Sequence, residues 1–228
     1  MKVGVVVFPG SNCDRDALHG ARLAGAQAEL LWHEDTDLHG ADVVILPGGF
    51  AYGDYLRAGA IARFSPIMDA VREHAARGGL LLGICNGFQV LTEAGLLPGA
   101  LRRNTTLRFE HRWVSLLVQR HDTPFTRGIP AGQTLRLPIA HGEGSFYLAD
   151  AELDGLEASG QVLFRYGPPE GNPNGSARDI AGVTDSSGRI CGLMPHPERA
   201  SEGLLGSDDG LLLLRSMVES AAQVEAVA

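Results

Sequence analysis

Cysteine is scarce: only Cys13, Cys85 and Cys191 occur in 228 residues, far apart and without Cys-x-x-Cys spacing. Neither a disulfide framework nor a bound metal is expected from that set, and the cytosol, where thiols stay reduced, is the expected compartment. Long apolar runs are missing as well. Nothing approaches the ~20 residues of a transmembrane helix, and the apolar start, Val3 to Phe8, ends at Pro9 and Gly10, too soon for a secretory leader. Basic charge is outnumbered, 19 Lys and Arg against 27 Asp and Glu, a net charge of −8. A phosphate-backbone partner would need a basic stripe, so no nucleic acid partner is expected. The chain has no Walker-type phosphate loop, and ATP binding by this chain is not expected either.

What is present is ordinary globular material, 44% hydrophobic and 20% charged. One α/β domain spanning residues 1–228 accommodates it without an evident boundary or repeat. The valine-rich segment Lys2 to Phe8 reads as a strand buried on both faces. Asp14 to Ala26 follows with Ala17, Leu18, Ala21 and Ala24 at helical spacing. Strands Ala28 to Trp32 and Asp42 to Leu46, a helix over Pro66 to Ala76, and a further strand from Leu80 continue the alternation. This order predicts a doubly wound, mostly parallel sheet with helices on both faces. Beyond Leu101, Thr105 to Gln119 and Thr134 to Ala140 read as added antiparallel strands. Gln161 to Tyr166, Ile180 to Thr184 and Ile190 to Met194 read as strands, and about Asp208 to Ala222 as a closing helix.

Chemistry concentrates in Gly83-Ile84-Cys85-Asn86-Gly87. An apolar strand running into Gly-x-Cys-x-Gly and then into helical spacing predicts a nucleophile elbow, where the tight turn leaves no room for side chains at Gly83 and Gly87. Cys85 then sits at a helix N-terminus, which favours a thiolate. A base is needed to complete the site. Prolines at 195 and 197 hold the chain extended around His196, so His196 and Glu198 project to one side, and the carboxylate can brace the imidazole. The chain order Cys, His, Glu differs from α/β-hydrolases, where the acid precedes the histidine. The glycines at 48 and 49, after the third strand, let backbone approach a ligand closely, and an N–H from this loop together with that of Asn86 suits an oxyanion hole.

On these residues alone, an acyl-transferring enzyme and a flavodoxin-like reactive-cysteine sensor or chaperone both stay open. The motifs GICNGFQ at Gly83 to Gln89, PGGF at Pro47 to Phe50, and the His196/Glu198 pair resemble the class I, triad-type glutamine amidotransferases. Within that family, FPGSNCDRD at Phe8 to Asp16, GGFAYGDYLRAGA at Gly48 to Ala60, PIAHGEG at Pro138 to Gly144, NPNGS at Asn172 to Ser176 and GLMPHPER at Gly192 to Arg199 are similar to glutaminase subunits of phosphoribosylformylglycinamidine synthases. The resemblance spans essentially the whole chain.

The resemblance implies a flavodoxin-like amidotransferase fold and hydrolysis of glutamine through a Cys85 thioester, with His196 and Glu198 completing the triad. Carried over by position, it makes Gly49 or Phe50 and Asn86 oxyanion donors, and Gln89 and Asn104 glutamine-binding residues. It also implies a large synthase subunit, which would bind ATP and magnesium, and a small bridging subunit as partners in purine biosynthesis. A glutaminase for another synthase and a γ-glutamyl hydrolase are the enzyme alternatives on the same fold. His141 and Glu143 are expected to be loop or interface groups. Arg102, Arg103, Arg108 and Arg112 form either a solvated face or a docking surface for an acidic partner.

Overall fold

The computed structural model describes residues 1–130 and 132–225. Its first half alternates as the periodicity predicts: β1 (Lys2–Val7), α1 (Asp14–Leu23), β2 (Gln27–Trp32), β3 (Val43–Leu46), α2 (Ile67–Ala76), β4 (Leu80–Ile84) and α3 (Asn86–Glu93). The second half runs β5 (Ala100–Arg102), β6 (Glu110–Val118), β7 (Thr134–His141), β8 (Ser145–Tyr147), α4 (Asp150–Ala158), β9 (Val162–Gly167), β10 (Ile180–Thr184), β11 (Ile190–Leu193) and α5 (Asp209–Glu225).

Nine strands make one sheet in the order β2-β1-β3-β4-β11-β10-β9-β6-β7, and β5 pairs with β8 in a separate ribbon. From β2 to β11 the pairings are parallel; from β11 to β7 they are antiparallel. β3 and β4 are buried along their whole length, which explains their unbroken apolar sequence. On α1, Ala17, Gly20 and Ala21 face the core. Gly20 is needed there, because a Cβ would stand 2.8 Å from Leu214 of α5. No described helix is long and apolar enough to cross a membrane.

Three elements escape the sequence reading. β5 and β8 have three residues each, too short for a period-2 signal. Helix α4 buries only Leu153 and Leu156 and carries Gly155 inside it, so its amphipathic signature is weak. The expected strand from Thr105 starts instead at Glu110. Residues 104–109 form a turn, with Leu107 at φ 57° and its N–H on the Asn104 carbonyl at 2.9 Å.

Candidate active site

Cys85 occupies the junction of β4 and α3 with φ 49° and ψ −104°. That conformation costs a β-carbon-bearing residue about 1–3 kcal/mol and persists only where the surroundings enforce it. Here the enforcement is visible. A Cβ on Gly87 would run into the Leu46 carbonyl of β3, and one on Gly83 would lie 2.5 Å from Leu91 and 2.8 Å from the Gly87 backbone. The Cys85 N–H donates to the Leu193 carbonyl at 2.8 Å, which ties the elbow to the end of β11.

That same strand end leads into Pro195, His196, Pro197 and Glu198. His196 is anchored from the opposite wall, its N–H donating to the Pro138 carbonyl of β7 at 2.9 Å. Its Nδ1 lies 2.6 Å from Glu198 Oε1, with both residues buried, so Nδ1–H donates to the carboxylate and Nε2 is the free basic nitrogen. Nε2 has no conventional hydrogen-bond partner, and the Cys85 thiol hydrogen-bonds to the Ala140 carbonyl at 3.8 Å. Burial pulls the imidazole pKa down. The Glu198 charge and the thiols of Cys85 and Cys13 outweigh it and hold His196 well above the ordinary value. Elbow, imidazole and carboxylate therefore share one cleft.

Cys13 is closer to this chemistry than its sequence context suggests. It follows β1, is buried, and offers its sulfur within 4.8 Å of donor atoms of His196 and Glu198. Burial raises its pKa against the opposing pull of His196. A metal ion held between these three residues would have to replace the His196–Glu198 hydrogen bond. The only sequence signal was position, a polar residue just past a parallel strand.

The oxyanion donors need one correction. Phe50 is not available: its N–H donates to the Gly10 carbonyl at 3.1 Å, within the pairing that also bridges Ser11 and Gly49. Gly49, at φ 144° and packed against the Ser11 and Asn12 backbone, is left as the candidate donor on this loop. Asn86 opens α3, so its backbone N–H has no intrahelical acceptor. Its side chain braces the facing loop, accepting from Ala51 N–H at 3.0 Å and donating to Asp54 at 3.2 Å and Gln89 at 2.8 Å.

A cavity of about 190 Å³ opens over Cys85, lined by Gly49, Asp54, Gln89, His141 and Glu143 among others. Gln89 is placed in its wall, with its amide held by Asn86 and by the Glu143 carbonyl at 2.5 Å. Asn104 is not. It is fully buried, donating to the carbonyls of Arg108 and His141 and accepting from Gly144 N–H at 3.0 Å, so it shapes the 141–144 loop without reaching the cavity. His141, the last residue of β7, and Glu143, in the loop that follows it, line the same cavity. The four arginines do not act as one patch. Arg102 stacks over Tyr147, Arg112 pairs with Glu110, Arg103 approaches Glu143 at 3.7 Å, and Arg108 lines a neighbouring cavity.

Comparison with known proteins agrees with this architecture. Residues 1–208 match the family model of the CobB/CobQ-like glutamine amidotransferase domain. The chain is 55% identical over 226 residues to the phosphoribosylformylglycinamidine synthase subunit PurQ of Moorella thermoacetica, covering 96% of each. It is 58% identical over 224 residues to the subunit of the same name from a Synechococcus strain, covering 97% of this chain and 98% of that one. A solved structure of PurLQS from Thermotoga maritima contains a chain 44% identical to this one, with TM-score 0.88 and coverage of 96% and 98%. The chain belongs to the PurQ family of phosphoribosylformylglycinamidine synthase subunits, built on a glutamine amidotransferase domain.

Proposed function

We infer that this chain hydrolyses L-glutamine and passes the ammonia to a synthase that converts formylglycinamide ribonucleotide to formylglycinamidine ribonucleotide in purine biosynthesis. The observation that carries this reading is the strained Cys85 elbow beside the buried His196–Glu198 pair, in a chain 55% identical to a PurQ subunit over nearly its full length. In this scheme the Cys85 sulfur attacks the side-chain amide carbon. N–H groups of Gly49 and Asn86 hold the developing oxyanion, where such donors are each worth about 2.7–4 kcal/mol. His196 delivers its proton to the departing ammonia, leaving a glutamyl thioester. Water, deprotonated by the same Nε2, then releases glutamate and restores the thiol.

The Thermotoga maritima PurLQS assembly supports a large synthase subunit and a small subunit as partners. ATP and magnesium are assigned to the synthase subunit, in keeping with the lack of a phosphate loop in this chain. Three free cysteines support a reducing, cytosolic setting.

The test uses the assembled complex. The glutamine-mimicking reagent 6-diazo-5-oxo-norleucine should label Cys85, and Cys85→Ala should abolish glutamine-dependent synthesis while ammonia-dependent synthesis continues. An unlabelled wild type without glutaminase activity would instead favour a reactive-cysteine sensor, and equal loss of both activities would contradict the division of labour.

A further inference from the structure

Cys13 follows β1, and His196 and Glu198 follow β11, yet each offers a donor atom within 4.8 Å of the other two. All three residues are 2% exposed. Their backbones are pinned: the Cys13 N–H donates to the Gly48 carbonyl at 3.2 Å, the His196 N–H to that of Pro138 at 2.9 Å, and the Glu198 carbonyl accepts the Ser201 hydroxyl at 3.0 Å. Gly48 keeps the space beside them open, since a Cβ there would stand 2.7 Å from His196 Cε1 and 3.1 Å from Cys13 Sγ. Beyond the hydrogen bond the pair shares, His196 Nε2 and Glu198 Oε2 are buried without a conventional partner among the described residues.

A thiol, an imidazole and a carboxylate are donor types that zinc accepts, with bonds of about 2.3 Å to sulfur and about 2.0–2.2 Å to nitrogen or oxygen. Those lengths set tetrahedral ligand atoms about 3.3–3.6 Å apart, so small side-chain rotations bring this set onto an ion. A cavity of about 110 Å³ lined by Cys13, His196, Asn12 and Arg199 gives room for entry, against about 30 Å³ for a water. Arg199 is drawn aside by Asp16 at 3.2 Å. Asn12 Oδ1 accepts the Cys13 S–H at 3.2 Å and is freed to hold an ion-bound water once that proton leaves. Among the described residues no other three His, Cys, Asp or Glu side chains meet in this way. Asp54, Glu143 and His141 line the cavity over Cys85 without bringing their donor atoms together. There, burial and then the Glu143 charge push the Asp54 carboxyl up to about 6, and burial with the His196 charge holds His141 down at about 4.

We propose that Cys13, His196 and Glu198 form an inhibitory site for a borderline-soft divalent cation of the zinc type. Cys85 is outside the set, its thiol turned to the Ala140 carbonyl at 3.8 Å. Binding sends the Cys13 thiol proton and one imidazole proton to solvent, and water completes four-coordination. The ion replaces the His196–Glu198 hydrogen bond and takes up an imidazole lone pair, so the ring can no longer receive the Cys85 proton. Metal binding and glutamine hydrolysis then exclude one another. That consequence rests on the glutaminase reading; the site itself does not.

Zinc added to the assembled complex should inhibit glutamine hydrolysis, and a zinc chelator should restore it. In Cys13→Ser the zinc concentration for half-inhibition, taken against that variant's own metal-free rate, should rise at least about a hundredfold, since losing even an outer partner of a metal ligand costs about 10–100-fold. Cobalt(II) bound to the full chain gives a readout independent of activity. Thiolate-to-cobalt charge-transfer absorption should appear in the wild type and in Cys85→Ala and vanish in Cys13→Ser. Should Cys13→Ser fail to fold, Cys85→Ala decides, because its remaining thiols are Cys13 and Cys191, and Cys191 is sealed within β11; no band there overturns the site. A band kept by Cys13→Ser and lost from Cys85→Ala puts the ion on the Cys85 thiol and overturns it too, as does equal zinc sensitivity in wild type and Cys13→Ser. A wild type that takes cobalt as described but hydrolyses no glutamine keeps the site and removes the glutaminase reading. One that hydrolyses glutamine and is indifferent to zinc and cobalt removes the site and keeps that reading.

Discussion

Asp54 and His141 face one cavity and are displaced in opposite senses, which makes an unusual prediction for stability. Asp54 is raised from 3.8 to about 6, so between those values the folded chain holds a proton the unfolded chain has lost, and stability falls as pH rises. His141 is lowered from 6.5 to about 4, so across nearly the same window the unfolded chain holds the extra proton and stability rises with pH. The two slopes oppose. One proton of difference corresponds to about 1.4 kcal/mol per pH unit, less where a side chain is partly exposed, as Asp54 is. Asp54→Asn should therefore unmask His141 and steepen the gain in stability from pH 4 to 6. Denaturant melts of wild type and variant at several pH values check it; parallel curves would show that the two groups do not titrate as assigned. The raised pKa of His196 adds a stabilising contribution that is lost as pH rises through the folded-state value.

Among elements, the turn carrying His196 and Glu198 depends on α5. Gly210, near the start of that helix, lies against the Pro197 backbone so tightly that a Cβ would enter the space of its carbonyl oxygen, and the Ser201 hydroxyl caps the Glu198 carbonyl at 3.0 Å. Gly210→Ala should displace the imidazole from its place over the elbow. Expected is a fall in kcat for glutamine hydrolysis of more than tenfold with ammonia-dependent synthesis retained, since α5 does not reach the synthase chemistry. Gly87→Ala strikes harder, because the clash is with the Leu46 backbone inside the parallel sheet. Its cost should exceed about 3 kcal/mol, in the range of severe core overpacking, readable as a loss of soluble protein or a large drop in thermal midpoint.

These elements also show what the sequence carried. The elbow was legible because its constraint is local: two glycines and a cysteine within five residues admit few conformations. The His196–Glu198 pair was legible for a similar reason, its prolines fixing the backbone on either side. Phe50 and Asn104 were misread because their roles are settled at a distance. Whether the Phe50 N–H is free depends on Gly10, and a buried amide that braces a loop has the same composition as one that binds substrate. Cys13 and His141 reach the site only through the order of the sheet, which brings β1 and β7 loops to one cleft.

At the scale of the whole molecule, the cleft is where the two halves of the sheet meet. Loops after parallel strands β1, β3, β4 and β11 bring Cys13, Gly49, Cys85 and His196, while the antiparallel half closes the far wall with Ala140, His141 and Glu143. Phe50 and Phe109 stack across the mouth, ring centres 6.4 Å apart, and Leu107 stands 82% exposed beside them. Apolar side chains held on the rim of a site whose product must leave without mixing with water suit a surface covered by the synthase subunits. Leu107→Asp should therefore weaken association with those subunits by tenfold or more, about 1.4 kcal/mol. Because the side chain is outside the core, unfolding free energy should stay within about 0.5 kcal/mol of wild type. Calorimetric titration of the purified chain into the partner subunits measures the first quantity and a denaturant melt the second. Unchanged affinity would place the docking face elsewhere on the molecule and leave the exposed rim to serve substrate entry alone.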